Sequence, residues 1–528
     1  MLVSMAIIPL MVRNAAALGM IDLPDPRKVH KAPIPRVGGV GIVLGAMVSI
    51  LLIVNSDSTV AAYLMGATVL FVFGIWDDVK ELGHYVKFIG QFFAATALVF
   101  YGDLYVMQFP IIGAIPEWFG KPFSVIAIVG VINAINHSDG LDGLAGGESL
   151  LSLAVLGYFF QISDSTQYLL ITLATIGGIF GFLRFNSHPA RVFMGDGGSQ
   201  FIGYTLAFLV LALTQRTNTA VSPAIPLLLV GLPIIDILSV LYQRVRGGNS
   251  WFKATRNHIH HRLLDLGFHH YAVVSIIYSV QALLVVTSLV LAYEYDALHI
   301  GIYLAVCVSL FAILIQAEKH HLKVADSALL SHRLVPEFSK LGPCFIRWSN
   351  LLLMAVVPTL LLLSSTLVTD VGDTDMEVVS MLLLALLLAS IWMEQRLGGL
   401  LRKAVVFIAL AFVVYLSELH GYFFPWVQQA TEIFVFGAIF VALPIRLRMQ
   451  TVNFFKVSPL DYLLVLVILM AGLVHGYEEN PYIIIAVKLA ILFYCVEWVL
   501  FALPKSERVL ALSTGLSLLL IGGRLFLE

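Results

Sequence analysis

Runs of apolar residues about as long as a bilayer is thick recur from one end of this chain to the other. A helix needs about 20 residues to cross the hydrocarbon core. Such runs fall at 1–20, 38–54, 59–76, 88–107, 122–137, 148–162, 166–183, 198–214, 223–243, 272–293 and 298–316. They resume at 350–368, 377–394, 404–424, 427–445, 459–474, 481–503 and 509–525. None alternates apolar with polar residues, which excludes a transmembrane β-barrel. The expected fold is an all-α polytopic transmembrane helix bundle, with about 11 helices in a first part and about 7 in a C-terminal extension. Composition agrees: 59% of the 528 residues are hydrophobic and 12% charged, against roughly 25% charged in soluble domains. With a mean hydropathy of +0.92, the chain lacks the polar surface to cover a globule in water and takes lipid as part of its solvent. Residues 1–20 read as a short first helix, since no small-residue cleavage site leads into a polar domain.

Basic residues in short loops set the orientation. Arg27, Lys28, Lys31 and Arg36 share one loop, Lys80 and Lys87 another, and Arg184 and Arg191 a third. Arg244, Arg246, Lys253, Arg256 and Arg262 follow, then Lys319, Lys323, Arg333, Lys340 and Arg347. Simple alternation of helices puts all of these on one side, expected to be cytosolic, with the N-terminus outside. The opposite loops carry Asp57, Asp103, Asp164 and Asp296; Arg216 and Arg524 are exceptions. The polar stretch before residue 350 divides the chain into a first membrane domain at 1–320, a cytosolic linker at 321–349 and a transmembrane extension at 350–528. Cys307, Cys344 and Cys495 lie far apart with no CxxC pair, which argues against a disulfide framework or zinc site. A net charge of −2 gives no footprint for nucleic acid.

The chemistry-bearing residues gather in the basic-side loops of the first part. They read Asp77-Asp78-Val79-Lys80-Glu81 with Lys87 beyond; Asn136-His137-Ser138-Asp139-Gly140-Leu141-Asp142-Gly143; Asn186 through Arg191, Phe193 and Asp196 to Ser199; and Arg256-Asn257-His258-Ile259-His260-His261. Asp77, Asp78, Glu81, Asp139, Asp142 and Asp196 would repel one another if they met without a cation, and hard oxygen ligands suit Mg²⁺ or Mn²⁺. The interleaved Lys, Arg and His are cations suited to phosphate oxygens. Acids for a metal beside bases for phosphates describe phosphoryl transfer, where positioning and charge neutralisation do most of the work. Taken singly, each motif also reads as a solvated cap, a turn or a polar loop; their joint occurrence on one membrane face favours function. Asp236 lies inside an apolar run, eight residues before Arg244. Such an acid marks either a functional site or a buried structural pair. In the second part, Lys488 and Glu497 share an apolar run and are expected to face protein or an interface rather than lipid.

At these residues the chain resembles the polyprenyl-phosphate N-acetylhexosamine-1-phosphate transferases. That superfamily includes the bacterial enzymes that start O-antigen, enterobacterial common antigen and teichoic-acid linkage units, and the translocase of peptidoglycan synthesis. The resemblance covers residues 1–316 and rests on five motifs in order: Asp25 to His30 through Pro35-Arg36-Val37-Gly38-Gly39, Asp77-Asp78, Asn136 to Asp142, Asn186 to Asp196, and His258 to His261. It implies Mg²⁺ held by Asp196 with Asp78, and Asp77 and Asp78 beside the metal and the prenyl phosphate. It implies a nucleotide pocket of Asn136, Asp139, Asp142, Asn186 and Phe193. It also gives Lys87 and Arg256 to substrate, and turns His258, His260 and His261 toward the sugar and diphosphate. The His-Ile-His-His form looks like the branch that transfers GlcNAc-1-phosphate from UDP-GlcNAc to undecaprenyl phosphate with release of UMP. Two positions depart from the family pattern: Glu81 stands where a third Asp is expected, and Thr255 where many relatives carry an acid before Arg256. The resemblance further implies an enzyme of the bacterial inner membrane, its site facing the cytosol, acting in cell-envelope or exopolysaccharide synthesis. A homodimer or polysaccharide-assembly proteins are the expected partners. The alternatives are another UDP-N-acetylhexosamine donor and, from a different class, a transporter or scaffold.

Overall fold

A computed structural model describes residues 1–24, 32–55, 57–80, 82–248, 257–320, 343–368, 374–393, 395–435 and 506–523, with isolated positions between 437 and 499. The chain forms two compact units, the first built on Met1–Ser327. In that unit the helices are α1 (Leu2–Asn14), α2 (Gly38–Ile53), α3 (Ser58–Lys80), α4 (His84–Thr96), α5 (Glu117–Ser138), α6 (Leu144–Ile162) and α7 (Thr166–Asn186). They continue with α8 (Gly195–Ala212), α9 (Pro226–Leu229), α10 (Gly231–Arg246), α11 (Ile259–Asp265), α12 (His270–Val290) and α13 (Asp296–Lys319). The second unit holds helices Pro343–Leu367, Thr374–Trp392, Gln395–His420 and Ser506–Gly522. Among the described residues, eight helices are long and apolar enough to cross a membrane. The chain is an all-α, multi-pass membrane protein.

The core of the first unit is α8, every residue of which from Gly197 to Ala212 is buried. Neighbours reach it through glycines. A Cβ on Gly74 would lie 2.4 Å from the Gly197 Cα, so α3 touches the start of α8 backbone to backbone. Gly195 has φ +73°, a conformation glycine adopts without steric cost, and it turns the chain into α8. Backbone amides hold the same turn from outside: Phe193 N donates to Pro35 O (2.8 Å), Gly38 N to Phe193 O (2.9 Å) and Gly39 N to Met194 O (2.7 Å). The short antiparallel pair β1 (Ile21–Asp22) and β2 (Ile34–Pro35) thus docks on the loop that ends in Asp196.

The run expected as one span at 223–243 is broken at Val230 into α9 and α10. The cause is Pro233, which has no N–H to give the carbonyl four residues back. That carbonyl, Leu229 O, accepts instead from Ser152 Oγ (2.6 Å) and Gln281 Nε2 (2.8 Å). Two turns of π-helix, Ala97–Tyr101 and Leu213–Thr217, end α4 and α8 on the side away from the motifs. Arg216, an exception to the charge rule, bonds there to Thr59 Oγ1 and to Asp103 O. It is used as a cap, which explains why a cation is found on that side.

In the second unit Lys488 is 2% exposed and pairs with Glu418 (2.6 Å) and Glu432 (3.4 Å). It faces protein, as expected. Glu497 lies outside the described residues.

Candidate active site

A cavity of about 950 Å³ opens where the motif-bearing ends of the first unit's helices meet. Asp77, Asp78, Lys87, Asn136, Asp139, Asp142, Asn186, Phe193, Asp196 and His261 line it. Four separate stretches of sequence therefore supply one wall. His258 and His260 are buried behind that wall, 6% and 3% exposed. Arg256, Thr255, Glu81 and Asp25 to His30 lie outside the described residues.

At the centre, Lys87 Nζ lies 2.6 Å from Asp77 Oδ2 and 2.6 Å from Asp196 Oδ2. One ammonium joins two carboxylates from α3 and α8. Asn136 Nδ2 donates to Asp196 Oδ1 (3.1 Å) and to Ser199 Oγ (2.8 Å), which orients the carboxylate. Asp78 faces differently. Its Oδ1 accepts from Asp196 N (2.9 Å) and its Oδ2 from Gly197 N (3.2 Å). It caps the N-terminus of α8 from another helix, where the helix dipole favours a negative charge. Of the Asp77–Asp78 pair, Asp77 shares the ammonium with Asp196 and Asp78 holds the helix that carries Asp196. Burial pushes the Lys87 ammonium toward losing its proton, but Asp196 and Asp77 more than offset this and hold it above its ordinary value.

Asn186 is similarly committed. Its Oδ1 accepts from Gly143 N (2.8 Å) and its Nδ2 donates to Val192 O (2.8 Å), tying two cavity loops together. Asp142 Oδ2 lies 2.5 Å from His188 Nδ1 and accepts from Ala190 N (3.0 Å). Burial raises the Asp142 carboxyl, yet these partners outweigh it and leave it below 3.8. Asp139 has no such compensation: burial, then Asp196 and Asp142, push it up to about 7. His188 stacks on His270 with ring centroids 4.0 Å apart. Asp22, Arg36, Arg191, His188 and His270 also line the cavity. His270 stands in no family motif; only its place at the start of an apolar run after a His pair hints at it.

The His-Ile-His-His stretch forms the start of α11. His258 stacks on His137 (5.5 Å) and on His260 (5.6 Å). His260 Nε2 abuts Gly140, where a Cβ would lie 2.3 Å away, and it has no hydrogen-bond partner among the described residues. Burial, with His261 and His258 nearby, holds His260 far below its ordinary value, so it stays neutral. Asp236 Oδ2 lies 2.7 Å from His258 Nδ1, which answers what the intramembrane acid pairs with.

Clustered carboxylates, a cationic bridge and a cavity at the ends of membrane helices are an arrangement suited to a membrane-embedded phosphotransferase. The family described as "Glycosyl transferase family 4" matches residues 60–214, from α3 to the end of α8. A protein of Bacillus subtilis (strain 168) named "Probable undecaprenyl-phosphate N-acetylglucosaminyl 1-phosphate transferase" is 34% identical over 295 residues, 55% of this chain and 82% of the relative. The Escherichia coli (strain K12) "Undecaprenyl-phosphate alpha-N-acetylglucosaminyl 1-phosphate transferase" is 30% identical over 262 residues, 48% of this chain and 71% of the relative. A Yersinia pestis protein of the latter name is 29% identical over 277 residues, 51% and 75% respectively. The chain belongs to the polyprenyl-phosphate N-acetylhexosamine-1-phosphate transferase family and is an enzyme of the phosphotransferase class.

Proposed function

We propose that the protein transfers GlcNAc-1-phosphate from UDP-GlcNAc to undecaprenyl phosphate, releasing UMP, at the cytosolic face of the bacterial inner membrane. The product would start a cell-envelope or exopolysaccharide chain. The observation that carries this reading is the Lys87 bridge between Asp77 and Asp196 on the wall of a 950 Å³ cavity. Two carboxylates that converge on one cation are the donor set a hard divalent ion uses. The residues present therefore fit Mg²⁺ or Mn²⁺, with Asp196 and Asp77 as the converging ligands and Asp78 fixing Asp196. When bound, the ion would neutralise diphosphate charge.

The chain's own residues supply the rest. Lys87 is placed to turn from the carboxylates to a phosphate oxygen. Asn136 holds Asp196 in one orientation. Phe193, its backbone fixed by the ladder to residues 35–39, lines the cavity and would pack beside the uracil. The nucleophile is a lipid phosphate whose second pKa is near ~6, so it is largely dianionic at neutral pH and needs no strong base. Its oxygen attacks the β-phosphorus, the bond to the UMP oxygen breaks, and UMP leaves with that electron pair.

The test is purified protein with Mg²⁺, undecaprenyl phosphate and a panel of UDP-sugars, read as UMP release. Release with UDP-GlcNAc above the other donors is expected. Release with another UDP-N-acetylhexosamine alone would replace the donor, and none with any sugar nucleotide would sink the reading.

A further inference from the structure

The geometry points to Asp236 as a positioning residue of the reaction, acting through His258 and the short helix α11; this rests on the phosphotransfer reading above. An acid on a helix in the apolar zone is costly unless it is fully bonded. Asp236, 8% exposed on α10, uses both oxygens on a segment more than 20 residues downstream. Oδ2 takes His258 Nδ1 at 2.7 Å, and Oδ1 accepts from Ile259 N at 2.8 Å. The first bond assigns the proton to Nδ1 and leaves the Nε2 lone pair. The second satisfies the first amide of α11, whose N-cap residue His258 makes no capping bond of its own.

Seven residues are too few to hold a helix in isolation. Helix α11 is instead pinned at three points. Asp236 takes its start, the His260 ring packs on Gly140, and Arg262 makes a two-pronged bond to Glu318 (2.7 and 2.8 Å). So held, it places His261 on the cavity wall that also carries Asp196. Asp236 does not itself line that cavity. Removing its carboxylate frees the start of α11 and the His258 tautomer together, and shifts His261 without touching substrate.

The test uses full-length protein. Asp236→Asn can accept from Ile259 N but turns its own N–H toward His258, so it reverses the tautomer. The expected result is a kcat for UMP release down roughly 30- to 100-fold with donor KM within about threefold, the signature of misplacement rather than lost binding. Asp236→Glu, which restores two acceptors, recovers part of the loss. The double variant Asp236→Asn/His258→Ala is no slower than His258→Ala alone, because both act on one unit. Wild-type kcat in Asp236→Asn, or losses that multiply in the double variant, overturn the proposal. If Asp236→Asn fails to accumulate, Ile259→Pro removes only the amide bond. Proline is tolerated at a first helical position, and His258 already has φ −64°, ψ 151°, suited to a residue before proline. A kcat loss is expected there too, and wild-type kcat overturns the role. Mapping of carbethoxylation by mass spectrometry gives a readout free of the donor. His258 and His260 react slowly in the wild type and faster in the variant, and equal reactivity overturns the proposal. An inactive wild type would sink the phosphotransfer reading alone.

Discussion

Among the described residues a lysine between two carboxylates recurs, and two of these clusters sit in different settings. In the first unit Lys87 joins Asp77 and Asp196 at helix ends, and the side chains are 26%, 9% and 23% exposed on the wall of a large cavity. In the second unit Lys488 joins Glu418 and Glu432 deep among apolar helices, with the lysine and Glu418 side chains each 3% exposed. The first cluster opens on the cavity, where a ligand can reach it. In the second the ammonium and Glu418 are enclosed and serve as an internal tie, with Glu432 at its rim. Residue types alone do not separate a site from a tie; access does. A buried pair is also weak evidence for net stability, although breaking one is expensive.

Four substitutions test that contrast, in descending order of expected effect. Asp196→Asn removes the best ligand candidate and should cut exchange of labelled UMP into UDP-GlcNAc by about 10³-fold or more; normal exchange would end the metal assignment. Lys488→Met strands the buried Glu418 carboxylate and should destabilise the second unit by about 3–5 kcal/mol, read as a lower unfolding temperature in detergent. Lys87→Met should do the reverse, reducing kcat about 100-fold while the unfolding temperature moves little. If the two lysine variants behave alike, the contrast fails. His188→Ala removes a partner that holds Asp142 below 3.8 and should raise donor KM roughly tenfold with kcat nearly kept; an unchanged KM would remove Asp142 from the donor pocket.

The smallest effect is in pH. Asp139 sits at about 7 when folded, above its ordinary 3.8. Between those values the folded chain holds a proton that the unfolded chain has lost, so this group makes stability fall as pH rises from about 4 to 7. Asp139→Asn should flatten that part of the profile by a few degrees of unfolding temperature. An identical slope in the variant would show that Asp139 is ordinary.

Much of this was legible in the sequence. Apolar runs give the helices directly, because every backbone group in lipid must be bonded within its own segment. The motif residues declared themselves by putting carboxylates, amides and histidines at the ends of such runs. Partnerships were less visible. Lys87 and Asp196 are 109 residues apart, and nothing local says which of Asp77 and Asp78 meets the Lys87 ammonium and which the start of α8. They point about 100° apart on α3, and Gly74, on the same face as Asp78, packs on Gly197 at the start of α8. The break at Val230 was written in Pro233, but an apolar run hides it until the freed carbonyl is traced. The family resemblance turned His258 and His260 toward the sugar and diphosphate, and could not say that His258 bonds the Asp236 carboxylate or that the His260 ring packs on Gly140.

The fractured helix has one more implication. Leu229 O, released by Pro233, has two donors from two different helices where one would suffice. That is fault tolerance. Loss of Ser152 or of Gln281 alone leaves the carbonyl a partner, whereas losing both strands it in hydrocarbon. Each position is therefore free to drift so long as the other stays, and the irregularity beside the His-bearing helix can persist through changes that would erase a singly held bend.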